Sequence, residues 1–175
     1  SELEIIFHQL GYQFNKKILK NNFDYYVQRT SHGSTLSKVV HCYLSDILGK
    51  SKQSWRWYCE VLNSDINDIQ GGTTPEGIHT GVMGGSINIA LKRYAGVNVI
   101  SGIINIDPDI PKKWKYIKFK IKYNEILYSL IIRRYRIIVT LSTTKLVRTG
   151  YQEKIKIRKR EYLLDMNKTY TFYIR

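Results

Sequence analysis

Between Lys115 and Tyr123 the chain alternates: Ile117, Phe119, Ile121 and Tyr123 fall on one face, Lys118, Lys120 and Lys122 on the other. Successive side chains of a strand point to opposite faces, so this pattern describes a sheet with one dry and one wet side; a helix would scatter the lysines around its axis. Asn124-Glu125 then supplies a tight turn into a strand at Ile126–Ile131. Further strands are expected at Tyr135–Leu141, Lys145–Val147, Lys154–Arg158 and Thr169–Ile174. Short strands at near-regular spacing predict a small antiparallel β-sandwich.

The chain upstream follows a different period. Glu2 to Leu10 carries Leu3, Ile6, Phe7 and Leu10 at helical spacing before Gly11 stops it. Leu36–Leu48 presents a broad apolar stripe (Val39, Val40, Tyr43, Leu44, Ile47) closed by Gly49, and Gln53–Leu62 places Trp55, Tyr58, Cys59 and Leu62 on a third helix. A fourth is expected from Thr74 to about Tyr94. There Thr74 can cap, Pro75 fits the first helical position, and Glu76 favours the positive end of the dipole. The charge changes with the pattern: residues 1–95 hold 10 Lys and Arg against 8 Asp and Glu, residues 96–175 hold 18 against 6. These two shifts place a boundary near Gly96 and divide the chain into an α part, 1–95, and a β part, 96–175.

Several function classes are excluded by what the 175 residues contain. No apolar run reaches the ~18 residues of a membrane helix, because Arg133 and Arg134 interrupt the best candidate. Glu2 and Glu4 stand where a signal peptide needs positive charge, and Cys42 and Cys59 allow one disulfide at most, so a cytoplasmic setting is expected. His8, His32, His41 and His79 show no ligand spacing with the cysteines, which argues against a metal site. Walker, dinucleotide and nucleophile-elbow motifs are missing. The formal charge of +14 admits a basic, non-catalytic module binding nucleic acid or a protein partner. Charge alone speaks only to non-specific association, and a solvated lysine face is the simpler account of it.

Two loops carry groups suited to chemistry. Arg29–Ser37 reads Arg-Thr-Ser-His-Gly-Ser-Thr-Leu-Ser, with Ser34 able to cap the following helix and Gly33 able to admit a ligand close to the backbone. Hydroxyls, His32 and free N–H groups at a helix start suit an anion; a capped helix beside a solvated histidine is the plainer alternative. Gln70–His79 combines Gly71-Gly72, Thr73 and Thr74 with Glu76, placed for proton transfer or a sugar hydroxyl, and His79 one turn further along. A glycine-rich turn whose Glu serves the helix dipole explains the same residues. Gly77, Gly81 and Gly85, spaced by four, would give the helix a flat side for close packing.

The segment Asn22-Phe23-Asp24-Tyr25-Tyr26, followed by RTSHGSTLS and then DIQGGTTPEGIHTGVMGGSINIA, resembles the C-terminal portion of glycoside hydrolase family 65. That family holds phosphorylases and hydrolases of α-linked glucose disaccharides such as trehalose, maltose and kojibiose, and the resemblance is strongest to its trehalase-like branch. It spans about residues 1–123 well. It implies an α+β chain in which residues 1–95 are the last helices of an (α/α) barrel of six hairpins and 96–175 a C-terminal β-sandwich domain. It also implies a phosphate site at His32, Ser34 and Thr35, and a sugar site bordered by Thr74, Glu76 and His79. The nucleophile is then either inorganic phosphate, as co-substrate of a phosphorylase, or an activated water in a hydrolase, and the resemblance leaves both open; no other cofactor is expected. The family's general-acid Glu sits in a Pro-Asp-Glu-Tyr-like motif that this sequence lacks, so an acid upstream of Ser1 is expected, as is a partner (the remaining barrel or a second copy) to cover the helices.

Overall fold

The computed structural model describes residues 15–30, 35–67, 77–145, 148 and 150–174. The chain divides into two compact units, Ser1–Ala90 and Leu91–Arg175.

Among the described residues the first unit is helical. Helix α1 spans Lys16–Val27, α2 Thr35–Ile47, α3 Ser51–Leu62 and α4 Thr80–Asn88, and a π-helical turn over Ile89–Tyr94 carries the chain into the second unit. Asn15 caps α1 by accepting the Lys17 N–H at 2.8 Å. Only Leu19 and Phe23 are buried on this helix, and so sparse a stripe explains why periodicity did not reveal it. The expected helix at Glu2–Leu10 falls outside the described residues. Between α2 and α3, Leu44, Val40, Trp57 and Val61 are buried. Lys38 reaches across the pair to Glu60 at 3.1 Å, its ammonium group nearly hidden from solvent. Cys42 is buried and directs its thiol to the Ser54 carbonyl oxygen at 3.2 Å, a packing role.

The fourth helix departs from its expected start. Residues 77–79 are not helical, Gly77 has φ 108, and α4 begins at Thr80 with His79 as its N-cap residue. Backbone at φ 108 cannot continue a right-handed helix, so the Thr-Pro-Glu signal does not propagate to His79. The expected flat glycine side also contracts to one position. A Cβ on Gly85 would stand 2.6 Å from Val39 Cγ1 of α2, whereas Gly81 faces nothing within 4 Å among the described residues.

The second unit is two four-stranded sheets. Strands β1 (Val97–Ile100), β2 (Ile103–Ile106), β6 (Gln152–Ile157) and β7 (Arg160–Asp165) form one sheet in the order β1-β2-β6-β7. The other is β3 (Ile117–Tyr123), β4 (Ile126–Arg133), β5 (Arg136–Thr143) and β8 (Thr169–Tyr173), in the order β3-β4-β5-β8. Ile104, Ile106, Ile155 and Ile157 from the first sheet share one core with Tyr128, Leu130, Ile137, Val139 and Leu141 from the second. Lys118, Lys120 and Lys122 point to solvent, as their alternation requires. Asn124 and Glu125 take φ 46 and 65, the mirror-image turn that matches strand twist.

Three details differ from the sequence expectation. The pairing of β2 with β6 is parallel, so the first sheet is mixed, because β6 enters it from the other sheet and aligns along β2. Strands β1, β2 and β7 were not anticipated: β1 and β2 are four residues each, three of them apolar, and the adjacent Leu163-Leu164 breaks the alternation in β7. Lys145 lies beyond the end of β5, and Leu146 and Val147 fall outside the described residues.

Candidate active site

Of the six residues expected at a site, Thr35 and His79 lie within the described residues, and His32, Ser34, Thr74 and Glu76 lie outside them. Thr35 opens α2 and is buried. His79 precedes α4 and is partly exposed. Its ring is held by Asp65 in the turn after α3: Nδ1 lies 2.7 Å from Asp65 Oδ1, while the His79 backbone N–H donates to Oδ2 at 3.0 Å. A carboxylate that accepts from Nδ1–H fixes the tautomer and leaves Nε2 as an acceptor. Such an imidazole can receive a hydroxyl proton or hydrogen-bond a sugar hydroxyl. Sequence reasoning missed Asp65. The Asn-Ser-Asp-Ile-Asn run at 63–67 marks a turn, but nothing in it points fourteen residues ahead to a histidine.

Helices α2 and α4 pack against each other within their first two turns. Val39 and Gly85 are in contact, four residues into α2 and five into α4. At about 1.5 Å of rise per residue, Thr35 is roughly 6 Å of helix from that contact and Thr80 about 7.5 Å, whichever way the helices cross.

Several other polar groups among the described residues of this unit have structural partners. His41 is buried and donates Nδ1–H to the Ser37 carbonyl at 2.6 Å, with the rings of Phe23 and Trp57 on either side. Asp24 accepts from Lys50 at 2.6 Å and pairs with Lys20 at 3.1 Å, and these two lysines, Lys50 foremost, hold its carboxyl below the usual range. Burial, then the neighbouring Cys42 and Cys59, pushes the Tyr58 phenol up to about 12, which keeps it neutral as a core residue. No cluster of His, Cys, Asp and Glu among the described residues has the makings of a metal site. None of the described helices is long and apolar enough to cross a membrane.

The glycosyl hydrolase family 65 central catalytic domain matches residues 3–88, and the family 65 C-terminal domain matches residues 97–164. The chain belongs to glycoside hydrolase family 65. Among its family 65 relatives, the trehalose 6-phosphate phosphorylase of Lactococcus lactis is 33% identical over 150 residues, covering 86% of this chain and 19% of the relative. An uncharacterized glycosyl hydrolase of Mycobacterium tuberculosis is 38% identical over 133 residues, 75% of this chain and 10% of that protein. The kojibiose phosphorylase of Halothermothrix orenii is 26% identical over 140 residues, 80% of this chain and 18% of the enzyme. A solved protein from the human microbiome, named as a candidate kojibiose phosphorylase, shares the fold with a TM-score of 0.73 at 24% identity, over 91% of this chain and 22% of its own. The family 65 chain described here thus spans between a tenth and about a fifth of the length of these curated relatives.

Proposed function

We propose that this chain is the C-terminal part of an enzyme that splits an α-glucosidic disaccharide with inorganic phosphate. Residues 1–95 would be the last helices of an (α/α) barrel of six hairpins and 96–175 its C-terminal β domain. In this reading His32, Ser34 and Thr35 hold the phosphate at the start of α2, and Thr74, Glu76 and His79 border the sugar. A phosphate oxygen forms the new bond to the anomeric carbon as the glycosidic C–O bond breaks, and the leaving oxygen takes its proton from an acid outside these residues. No organic cofactor enters such a displacement, because phosphate is both nucleophile and co-substrate.

The observation that carries this reading is His79, oriented by Asp65 at the start of α4, a helix that packs on α2 through the Val39–Gly85 contact. Helix starts favour anions, and a fixed imidazole acceptor suits a sugar hydroxyl. The names of the relatives favour phosphorolysis over hydrolysis.

Titration of the labelled chain with inorganic phosphate, followed by amide NMR, tests the nucleophile side. Saturable shifts at Thr35 and Leu36 that disappear in His32→Ala are expected; shifts that persist in that variant, or none at all, would remove the phosphate site. The chain alone should turn over neither trehalose nor kojibiose, with or without phosphate, since protonation of the leaving oxygen contributes ~10²–10⁴ in rate.

A further inference from the structure

At one end of the sandwich the β6–β7 turn and the end of β8 enclose a cavity of about 810 Å³. That is within the range of small-molecule sites, roughly 300–1,000 Å³. One wall is cationic. Arg158, Lys159 and Arg160 are consecutive and exposed, and Asp107 is the carboxylate among the lining residues. Arg158 Nε stands 4.0 Å from Asp107 Oδ1, the outer limit of an ion pair; Lys159 and Arg160 have no ion-pair partner among the described residues. The other wall is aromatic. Tyr162 and Phe172 pack with ring centroids 4.7 Å apart, and Tyr173, which leaves β8 on the opposite face from Phe172, is 80% exposed at the rim.

The backbone holds this cationic corner in a tight turn. Ile157 pairs with Arg160, so Arg158-Lys159 is a two-residue turn, and Arg158 holds φ 54. Glycine adopts that region freely and an arginine does so at a conformational cost. The strain is held in place by the Arg158 N–H, which donates to the Ile106 carbonyl at 2.9 Å.

We propose that this cavity binds a phosphomonoester carried on a ring. The Arg158–Lys159–Arg160 corner holds the phosphate, where guanidinium groups make paired, charge-assisted hydrogen bonds. The Tyr162 and Phe172 wall, with Tyr173 at its rim, takes the face of the ring, either the apolar side of a sugar or a nucleobase. Every residue involved belongs to the second unit, so the proposal does not rest on the disaccharide reading of the first.

The labelled chain titrated in turn with glucose 6-phosphate, AMP, inorganic phosphate and glucose tests this by amide and aromatic NMR. Saturable shifts at Tyr162, Phe172 and Tyr173 are expected with at least one of the two phosphomonoesters, about tenfold tighter than with phosphate or glucose alone. Preference for glucose 6-phosphate would identify the ring as a saccharide, preference for AMP as a nucleoside. The Lys159→Ala/Arg160→Ala double variant should weaken binding by about tenfold or more, with the strand resonances unmoved. Arg158→Gly should lose affinity while its melting temperature is held or raised, because the strain is relieved. The proposal fails if neither ester gives saturable shifts or if the double variant binds as well as the native chain. It fails equally if inorganic phosphate binds as tightly as both esters, which would leave only an unspecific cluster of cations.

Discussion

Asp65 holds His79 by both its backbone N–H and its ring Nδ1, so one carboxylate fixes where the imidazole sits and which nitrogen carries the proton. The two contacts have different consequences. The backbone contact anchors the residue that caps α4, while the ring contact governs how His79 can meet a ligand.

Asp65→Asn separates them. An amide oxygen can replace one acceptor but not both, so the ring is expected to exchange between its Nδ1–H and Nε2–H tautomers, read from imidazole ¹⁵N shifts. The loss of hydrogen bonds to a largely buried carboxylate should cost about 1.5–3 kcal/mol in chemical unfolding. A single, unchanged Nδ1–H tautomer in the variant would show that Asp65 does not set the ring.

The contact between α2 and α4 makes a second test. At Gly85 two effects oppose each other. Alanine would gain about 1 kcal/mol of helix propensity, yet its Cβ would meet Val39 Cγ1 at 2.6 Å. Overpacking against a β-branched side chain, which has few rotamers to retreat into, costs roughly 1–3 kcal/mol. Gly85→Ala is therefore expected to destabilise, and Val39→Ala in the same chain to recover much of that loss in a double-mutant cycle. Additive losses would mean that the helices do not meet there.

How far the sequence foretold this structure depended on whether each pattern was local. Lys118, Lys120 and Lys122 alternate with apolar neighbours, so β3 and its turn at Asn124-Glu125 were legible from nine residues. The stripe on α2 was equally plain. Helix α1 was not, because two buried residues on a polar body give no period, and its one clear signal was the Asn15 cap. Gly77 turned a good helix-start signal at Thr74–Glu76 into a misplaced boundary. The parallel β2–β6 pairing and the Asp65–His79 contact join segments distant in sequence, and no local spacing encodes either. The loops around His32 and Glu76 were read through family resemblance; composition alone left capping and turn formation as sufficient explanations.

Across the sandwich, Tyr128 of β4 donates its hydroxyl to Glu153 Oε1 of β6 at 2.8 Å, joining the two sheets. Tyr128 is fully buried, and burial first, then this hydrogen bond, raises its pKa and keeps the phenol protonated. Tyr151 donates to the other oxygen of the same carboxylate at 2.6 Å, from an exposed position. Tyr128→Phe should cost about 1.5–3 kcal/mol in urea unfolding, because it deprives a carboxylate of its buried donor. Tyr151→Phe should cost less, since water can replace the lost donor. Equal losses from the two variants would rule out a special role for the link between sheets.

The last test concerns acid. At the turn from β7 to β8, Asp165 accepts from Lys168 at 2.8 Å, Gln152 at 3.0 Å and Tyr170 at 2.9 Å. These partners, Lys168 foremost, hold its pKa down to about 2 from an ordinary 3.8. A carboxyl whose folded pKa lies below its unfolded value binds fewer protons folded than unfolded, so it contributes stability above the unfolded value. That contribution is lost as pH falls toward the folded one. The melting temperature of the native chain should therefore drop between about pH 4 and pH 2, and part of that slope should vanish in Asp165→Asn, which removes the carboxyl from the turn. Asp24, similarly lowered by Lys50 and Lys20 in the first unit, remains in the variant and accounts for part of the slope that persists. Melting curves that stay parallel from pH 4 to pH 2 in the two proteins would show that the Asp165 cluster is not coupled to folding.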